Sequence, residues 1–118
     1  MNILISTIVR NEAKFLPKWY EQLKRTVQEN PEVNFFLSVL ENDSTDDSGK
    51  ILAQFDYLFF QSYLISTAKY NTPYFIGGKH PTRTELLAFF RNKTIYNCEM
   101  LNQSDRVIVI EPDIVFST

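Results

Sequence analysis

The sequence predicts an α/β domain built as a three-layer sandwich, with helices on both faces of a mostly parallel sheet. Short apolar, β-branched runs alternate with segments of helical periodicity, which is typical of this class. Two of the apolar runs end abruptly in acidic and amide residues, as strands do at a ligand-binding edge. The chain has 118 residues, 44% of them hydrophobic. It is therefore long enough for a single domain with its own core, spanning residues 1–118.

The first strand and the first helix have the clearest patterns. Residues 2–9 form an apolar, β-branched run that predicts a central strand. Residues 12–30 carry apolar side chains at helical spacing, namely Phe15, Leu16, Trp19, Leu23 and Val27. Pro17 falls near the first turn, where a missing N–H is tolerated.

The following elements continue the alternation. We expect a second strand at residues 33–40, a second helix from Asp46 to about Gln61, and a third strand at residues 62–66. The second helix is expected to turn four side chains inward, namely Ile51, Leu52, Phe55 and Leu58.

The second half of the chain is less regular. Residues 67–81 contain glycines and prolines and predict a loop. A third helix is expected from Thr82 or Thr84 to about Gln103, followed by a last strand at residues 107–110. This order predicts parallel strands joined by right-handed crossovers.

Composition excludes several classes of protein. The net charge of −2 leaves no basic face for a phosphate backbone, so we expect no nucleic-acid partner. Cys98 is the single cysteine, which excludes an internal disulfide and favours a reducing compartment. No segment reaches the roughly 20 apolar residues needed to span a bilayer. We therefore expect a cytoplasmic location, peripheral to a membrane if the chain works within a larger assembly.

One polar cluster follows the second strand, at residues 41–44, with the sequence ENDS. Carboxylates and amides of this kind hydrogen-bond a base or a ribose. The alternative is a helix N-cap, with Ser44 or Asp46 as the capping residue and no ligand.

A second cluster, Glu111-Pro112-Asp113, follows the last strand. Its carboxylates stand at positions i and i+2, so on an extended backbone they project to the same side. Two carboxylates with substrate phosphates are a common site for magnesium or manganese. The alternative is that the triplet simply forms a turn.

Basic residues supply candidate phosphate contacts. Arg83 and Arg91 lie on the expected third helix, and guanidinium is the usual partner of a diphosphate. The alternative is a solvated helix face. Residues 10–12, with the sequence RNE, follow the first strand and are equally open to both interpretations. His80 is the lone histidine and is expected to be a surface residue.

Together these motifs resemble the nucleotide-binding half of a GT-A glycosyltransferase with a Rossmann-like sheet, and especially the cryptococcal mannosyltransferase (CAP59-type) family. That family has a strand ending in Glu-Asn-Gly-Ser-x-Asp, a helix with Leu-Ala-x-x-Arg-Asn, and a strand ending in a short acidic motif followed by hydrophobic residues and Phe. Here the corresponding segments are residues 41–46, 87–92 and 111–116.

The resemblance implies a role for each matching residue. Arg10, Asn11 and Glu12 would line the nucleotide pocket, while Glu41 and Asn42 would meet the base or ribose. Asp43 belongs to the same nucleotide-sugar site and replaces the family's glycine, so its backbone is expected to be left-handed or locally different. The remaining roles concern the phosphates: Arg83 and Arg91 near the diphosphate, Asn92 fixing the loop, and Glu111 and Asp113 binding Mn²⁺ or Mg²⁺, with Asp113 the more direct ligand.

The resemblance also predicts a function. We expect a glycosyltransferase donor-binding half that takes a nucleotide-sugar, with transfer to the hydroxyl of an acceptor glycan or other molecule. The acidic motif at the end of the last strand is DxD-like, and a complete GT-A domain continues beyond that strand. Catalysis by this chain alone therefore stays an open question. The alternative is a non-catalytic nucleotide-sugar-binding module, or one that forms homo-oligomers through an open sheet edge. A nucleotidyltransferase ranks last because residues 8–15 contain no glycine-rich phosphate loop.

Overall fold

The computed structural model describes residues 1–69 and 99–112 and shows an α/β fold. Its sheet has four strands in the order β3-β2-β1-β4, all parallel to their neighbours. The elements are β1 Asn2–Val9, α1 Leu16–Glu29, β2 Asn34–Asn42, α2 Ser48–Gln54, β3 Ser62–Ala68, a 3-10 helix Glu99–Gln103 and β4 Arg106–Val109. The Rossmann-like α/β sheet predicted from the sequence is therefore confirmed.

The two central strands carry most of the core. β1 is buried from Leu4 to Val9, and β2 is buried from Phe35 to Asn42. They pair over eight residues, from Asn2 opposite Asn34 to Val9 opposite Glu41. Near-continuous apolar runs of this kind are typical of strands that are covered on both faces.

Both described α-helices pack on the same face of the sheet. The buried side chains of α1 are Leu16, Trp19 and Leu23, and α2 contributes Leu52. These side chains join one hydrophobic cluster with alternate strand residues, including Ile5, Val9, Leu37 and Val39. On the opposite face, Leu4 and Phe36 form a second cluster against which Leu101 packs.

Helix α2 is shorter than the sequence predicts, because it ends at Gln54 rather than near Gln61. Phe55 is already extended, with φ −75° and ψ 149°. The Tyr57 hydroxyl donates to the Leu52 carbonyl oxygen at 2.7 Å and so satisfies a group at the end of the helix. Burial raises the pKa of this hydroxyl.

The expectation that Leu58 faces inward is also wrong. Its side chain is 77% exposed, while the nearby Tyr57 and Phe60 are buried. The Leu58 N–H donates to Asp56 Oδ1 at 2.9 Å, which is the local turn that an aspartate side chain favours over a helix.

An aromatic cluster replaces the missing helical turns. The ring of Tyr20 on α1 stacks on Phe55 with centroids 4.2 Å apart, and the Tyr20 hydroxyl donates to the Asp56 carbonyl oxygen at 2.6 Å. Phe59 and Tyr57 meet the same ring edge-on. The connection from α2 to β3 is thereby packed against α1.

The other predicted elements agree with the structure to within a few residues. β2 runs through Glu41 and Asn42 and thus includes residues expected to lie beyond it. β3 extends to Ala68 and so includes the first two residues of the expected loop. β4 begins at Arg106, one residue before the predicted start. The rest of that loop and most of the expected third helix lie outside the described residues.

The edge strands of the described sheet expose apolar side chains. Tyr63 and Leu64 of β3 and Ile108 and Val109 of β4 are each between 42% and 44% exposed. Self-association through such an edge stays a prediction. No helix within the described ranges is long and apolar enough to cross a membrane.

Two leucines test this packing. Leu37 is 0% exposed and Leu58 is 77% exposed. We expect Leu37→Ala to lower the free energy of unfolding by about 2–5 kcal/mol, because it leaves a cavity between the sheet and the helices. The matched change Leu58→Ala should cost less than about 0.5 kcal/mol. Urea unfolding followed by circular dichroism measures both, and equal losses would contradict the assigned packing.

Candidate functional site

The carboxyl ends of β1, β2 and β4 lie along one rim of the sheet. Val9 at the end of β1 is level with Glu41 in β2. On the other side of β1, the parallel ladder continues one residue beyond β4, because the Ile110 N–H donates to the Ser6 carbonyl oxygen at 2.9 Å. Glu111 therefore leaves the sheet near the level at which β1 ends.

This rim contains a topological switch point. From β1 the chain proceeds to β2 and β3 on one side, and β4 pairs with β1 on the other side. Open α/β sheets bind ligands in the crevice at the carboxyl ends of the strands where the order reverses. The switch point between β1 and β4 is flanked by Arg10, which follows β1, and by Glu111, which follows β4. Both residues are partly exposed.

The predicted site residues divide into two groups. The structure brings seven of them to this rim: Arg10, Asn11, Glu12, Glu41, Asn42, Asp43 and Glu111. The other four, Arg83, Arg91, Asn92 and Asp113, lie outside the described residues.

Glu41 and Asn42 are adjacent in sequence but lie on opposite faces of β2. Glu41 is 4% exposed and lies beside the start of α2, where a Cβ on Gly49 would be 3.7 Å from its carboxylate. Its Oε1 accepts the Ser44 N–H at 3.1 Å. Asn42 is 2% exposed and donates through Nδ2 to Asp43 Oδ2 at 3.3 Å. The Glu41 carboxylate thus holds the turn that follows β2.

Two residues of the rim have left-handed backbones. Asn11 has φ 55° and Asp43 has φ 53°. Each lies two residues beyond a paired position, Val9 and Glu41, so the chains leave β1 and β2 in the same way. Asn and Asp tolerate this conformation better than other residues with a Cβ. The left-handed alternative expected for Asp43 is therefore the one observed.

The loops that follow β1 and β2 are joined by side-chain hydrogen bonds, which we call the loop clamp. Three successive N–H groups of the first loop donate to side chains of the second loop and the first turn of α2. The Asn11 N–H donates to Ser44 Oγ at 3.0 Å, the Glu12 N–H to Ser48 Oγ at 2.9 Å, and the Ala13 N–H to Asp46 Oδ2 at 3.1 Å.

The clamp also runs in the reverse direction. Asn11 Oδ1 accepts the Thr45 N–H at 2.7 Å, the Thr45 hydroxyl at 3.2 Å and the Asp46 N–H at 3.3 Å. One amide oxygen thus binds two successive residues of the other loop. The two loops hold each other in place through both side chains and backbone.

Asp46 is the most heavily bonded carboxylate of the clamp. Its Oδ1 accepts the Ser48 N–H at 2.9 Å and the Ser48 hydroxyl at 2.6 Å, while Oδ2 accepts the Ala13 N–H. Partial burial alone would raise the pKa of Asp46, but these hydrogen bonds outweigh it and lower the pKa below 3.8. The residue at the N-cap of α2 is Asp47, which makes no side-chain cap hydrogen bond.

The sequence did not indicate the clamp. The sequence predicts Ser44 or Asp46 as the cap of a helix and gives no sign of a role for Ser48. The only signal was the density of short polar side chains after β2, and their partners are more than 30 residues away in the sequence. Finding those partners requires the register of the sheet.

Among the described residues predicted to bind a metal, Glu111 lies beside the switch point. Glu111 supplies an oxygen of the type that Mg²⁺ and Mn²⁺ bind. Within residues 1–69 and 99–112, no three His, Cys, Asp or Glu side chains form a group suited to holding a metal ion. The proposed second ligand, Asp113, lies outside those ranges. The donor chemistry is thus compatible with a metal that is also bound by phosphate oxygens.

Comparison with protein families identifies the group to which the chain belongs. A family model described as "Cryptococcal mannosyltransferase 1" matches residues 2–118. The chain is a member of this family. No curated protein and no solved structure matches it. Membership supports a glycosyltransferase-like function and confirms the predicted resemblance to the cryptococcal mannosyltransferase family.

The left-handed backbone of Asp43 in this mannosyltransferase-family chain gives one test. Asp43→Gly should change the free energy of unfolding by less than about 1 kcal/mol, because glycine relieves the backbone strain at some cost in entropy. Asp43→Val should cost about 1–2 kcal/mol more than glycine, since its Cβ substituents clash in this conformation. Chemical unfolding of both variants measures the difference. Equal stability of the two would contradict a positive φ.

The titration of Asp46 gives a second test of the structure at this rim. Its pKa is lowered on folding, so the stability that it contributes is present above pH 3.8 and is lost as the pH falls through the folded value. Because the carboxylate is largely exposed, we expect a contribution below about 1 kcal/mol. Carboxyl chemical shifts followed by NMR should give a midpoint below 3.8, and Ser48→Ala should raise it. Ser62→Ala, at the opposite rim, is the control, and an unchanged midpoint in Ser48→Ala would show that the Ser48 bonds do not lower it.

Proposed function

We propose that this chain is the donor-binding half of a GT-A glycosyltransferase, and that it binds a nucleoside-diphosphate sugar in the crevice between β1 and β4. The observation that carries the proposal is the family match, which extends over residues 2–118. It agrees with a parallel sheet whose switch point is flanked by a cationic and an anionic residue.

In this proposal the partly exposed residues make the direct contacts. Arg10 meets the diphosphate, because a guanidinium presents several N–H donors to phosphate oxygens. Asp43 lies on the same rim and is partly exposed, so it is placed to accept a hydrogen bond from the ribose or the base. Glu41 and Asn42 are closed to solvent, and their contribution is to support the turn that presents Asp43.

The resemblance supplies the remaining assignments. Arg83 and Arg91 add positive charge near the diphosphate, and Asn92 fixes the loop beside them. Glu111 and Asp113 hold Mg²⁺ or Mn²⁺ together with the phosphate oxygens. A divalent cation bound there stabilises the negative charge that develops on the nucleoside diphosphate when the sugar leaves. The sugar is transferred to the hydroxyl of an acceptor, whose identity depends on residues beyond the donor site.

Isothermal titration calorimetry tests the proposal with UDP-glucose and GDP-mannose, each with and without Mn²⁺. We expect one of them to bind, and to bind more tightly with the metal. Glu111→Gln should weaken metal-dependent binding by about tenfold or more, the size of a lost charged contact. Asp113→Ala should do the same.

Glu32→Gln is the matched control, since Glu32 is exposed at the opposite rim, just before β2. It should leave both affinities unchanged. The proposal fails if neither nucleotide-sugar binds. The metal assignment fails if binding is indifferent to Mn²⁺ and to the changes at Glu111 and Asp113.

A further inference from the structure

The loop clamp uses donors that many nucleotide-binding sheets offer to a phosphate. In such sheets the backbone N–H groups of the first βα turn face the diphosphate. Here the N–H groups of Asn11, Glu12 and Ala13 all donate to side chains of the clamp. These three N–H groups are therefore already occupied and do not bind a diphosphate at this rim. Arg10 and Lys14 are the cations on either side of them. The Lys14 ammonium lies over the Phe15 ring, 4.9 Å from its centroid, whereas Arg10 directly follows β1.

Two hydrogen-bonding groups of the clamp are already used within it. Ser48 is 0% exposed, and its hydroxyl both accepts from Glu12 and donates to Asp46. Asn11 Oδ1 already accepts three hydrogen bonds from Thr45 and Asp46. Their geometry instead determines where the chain turns immediately after Arg10.

From these contacts we infer that Asn11, Asp46 and Ser48 are positioning residues, which hold the β1–α1 loop so that Arg10 faces the diphosphate of the donor. The inference rests on the proposed function. It assigns diphosphate recognition to the side chain of Arg10, whose backbone position is fixed by hydrogen bonds from the neighbouring loop to the loop after β2. It also separates Asn11 from the residues that contact the ligand.

Positioning matters because an arginine is effective only when its backbone is well placed. Its planar donors match phosphate oxygens in a small range of orientations, and its long side chain loses rotamer freedom on binding. A loop that is already held by other groups avoids part of that loss when the ligand arrives. Loss of the clamp should therefore weaken binding without removing any contact to the ligand.

The first arm of the test needs no ligand. Amide hydrogen exchange, measured by NMR, should show slow exchange at Asn11, Glu12 and Ala13 in the wild-type chain. In Ser48→Ala the amide of Glu12 should exchange faster, while the amides of β1 and β2 stay protected. Ser62→Ala is the matched control and should change none of them.

The second arm measures affinity for whichever of UDP-glucose and GDP-mannose binds. Ser48→Ala and Asn11→Gly should weaken binding by about two- to tenfold, the range expected for a lost hydrogen bond. Glycine keeps the left-handed backbone and removes only the side chain. Asn11→Asp keeps the accepting oxygen and should retain more of the affinity than Asn11→Gly does.

A double-mutant cycle separates positioning from a general loss of stability. In an Arg10→Ala background, Ser48→Ala should have almost no further effect on affinity, because it acts through Arg10. Affinities are compared at temperatures where every variant is fully folded.

The inference is overturned if Ser48→Ala leaves affinity unchanged, if its effect adds fully to that of Arg10→Ala, or if the three loop amides exchange freely in the wild-type chain. Failure of the wild-type chain to bind either nucleotide-sugar would instead refute the proposed function, and the exchange measurements would still decide whether the clamp holds the loop.

Discussion

The parallel register of β1 with β2 is the constraint on which the candidate functional rim depends. Eight successive pairs place Val9 level with Glu41, so the loops that leave the two strands start side by side. Short side chains then suffice to connect them. A serine or aspartate hydrogen bond reaches only about 3 Å, so a shift of one residue in register would break the clamp.

The period of two along a strand explains why neighbouring polar residues have different roles. Glu41 points towards the helices and stabilises the turn after β2, whereas Asn42 points to the other face. A buried carboxylate is costly unless it is hydrogen-bonded, and the Ser44 N–H meets that need. Glu41 is thus a structural acceptor, while Arg10, Asp43 and Glu111 at the same rim are partly exposed.

Aromatic packing determines where α2 ends and how the chain continues to β3. The stacking of Tyr20 on Phe55 and the buried hydroxyl of Tyr57 hold the segment after α2 against α1. A longer α2 would lose these contacts. At the other end of α2, Ser48 is the first helical residue, and its hydroxyl accepts the Glu12 N–H at 2.9 Å.

The sequence by itself determined the α/β class, the position of each described strand to within two residues, and the rim where the polar clusters gather. These follow from local patterns: β-branched runs predict strands, and abrupt polar ends predict the carboxyl edge of a parallel sheet. The family resemblance was also readable, because its motifs are contiguous. The early end of α2 could not be predicted, because the apolar residues after Gln54 have no clear period. Such residues fit a helix as well as they fit an aromatic cluster packed on α1. Only the tertiary structure decided which polar residues bind each other, because the partners in the clamp are brought together by strand pairing rather than by sequence distance.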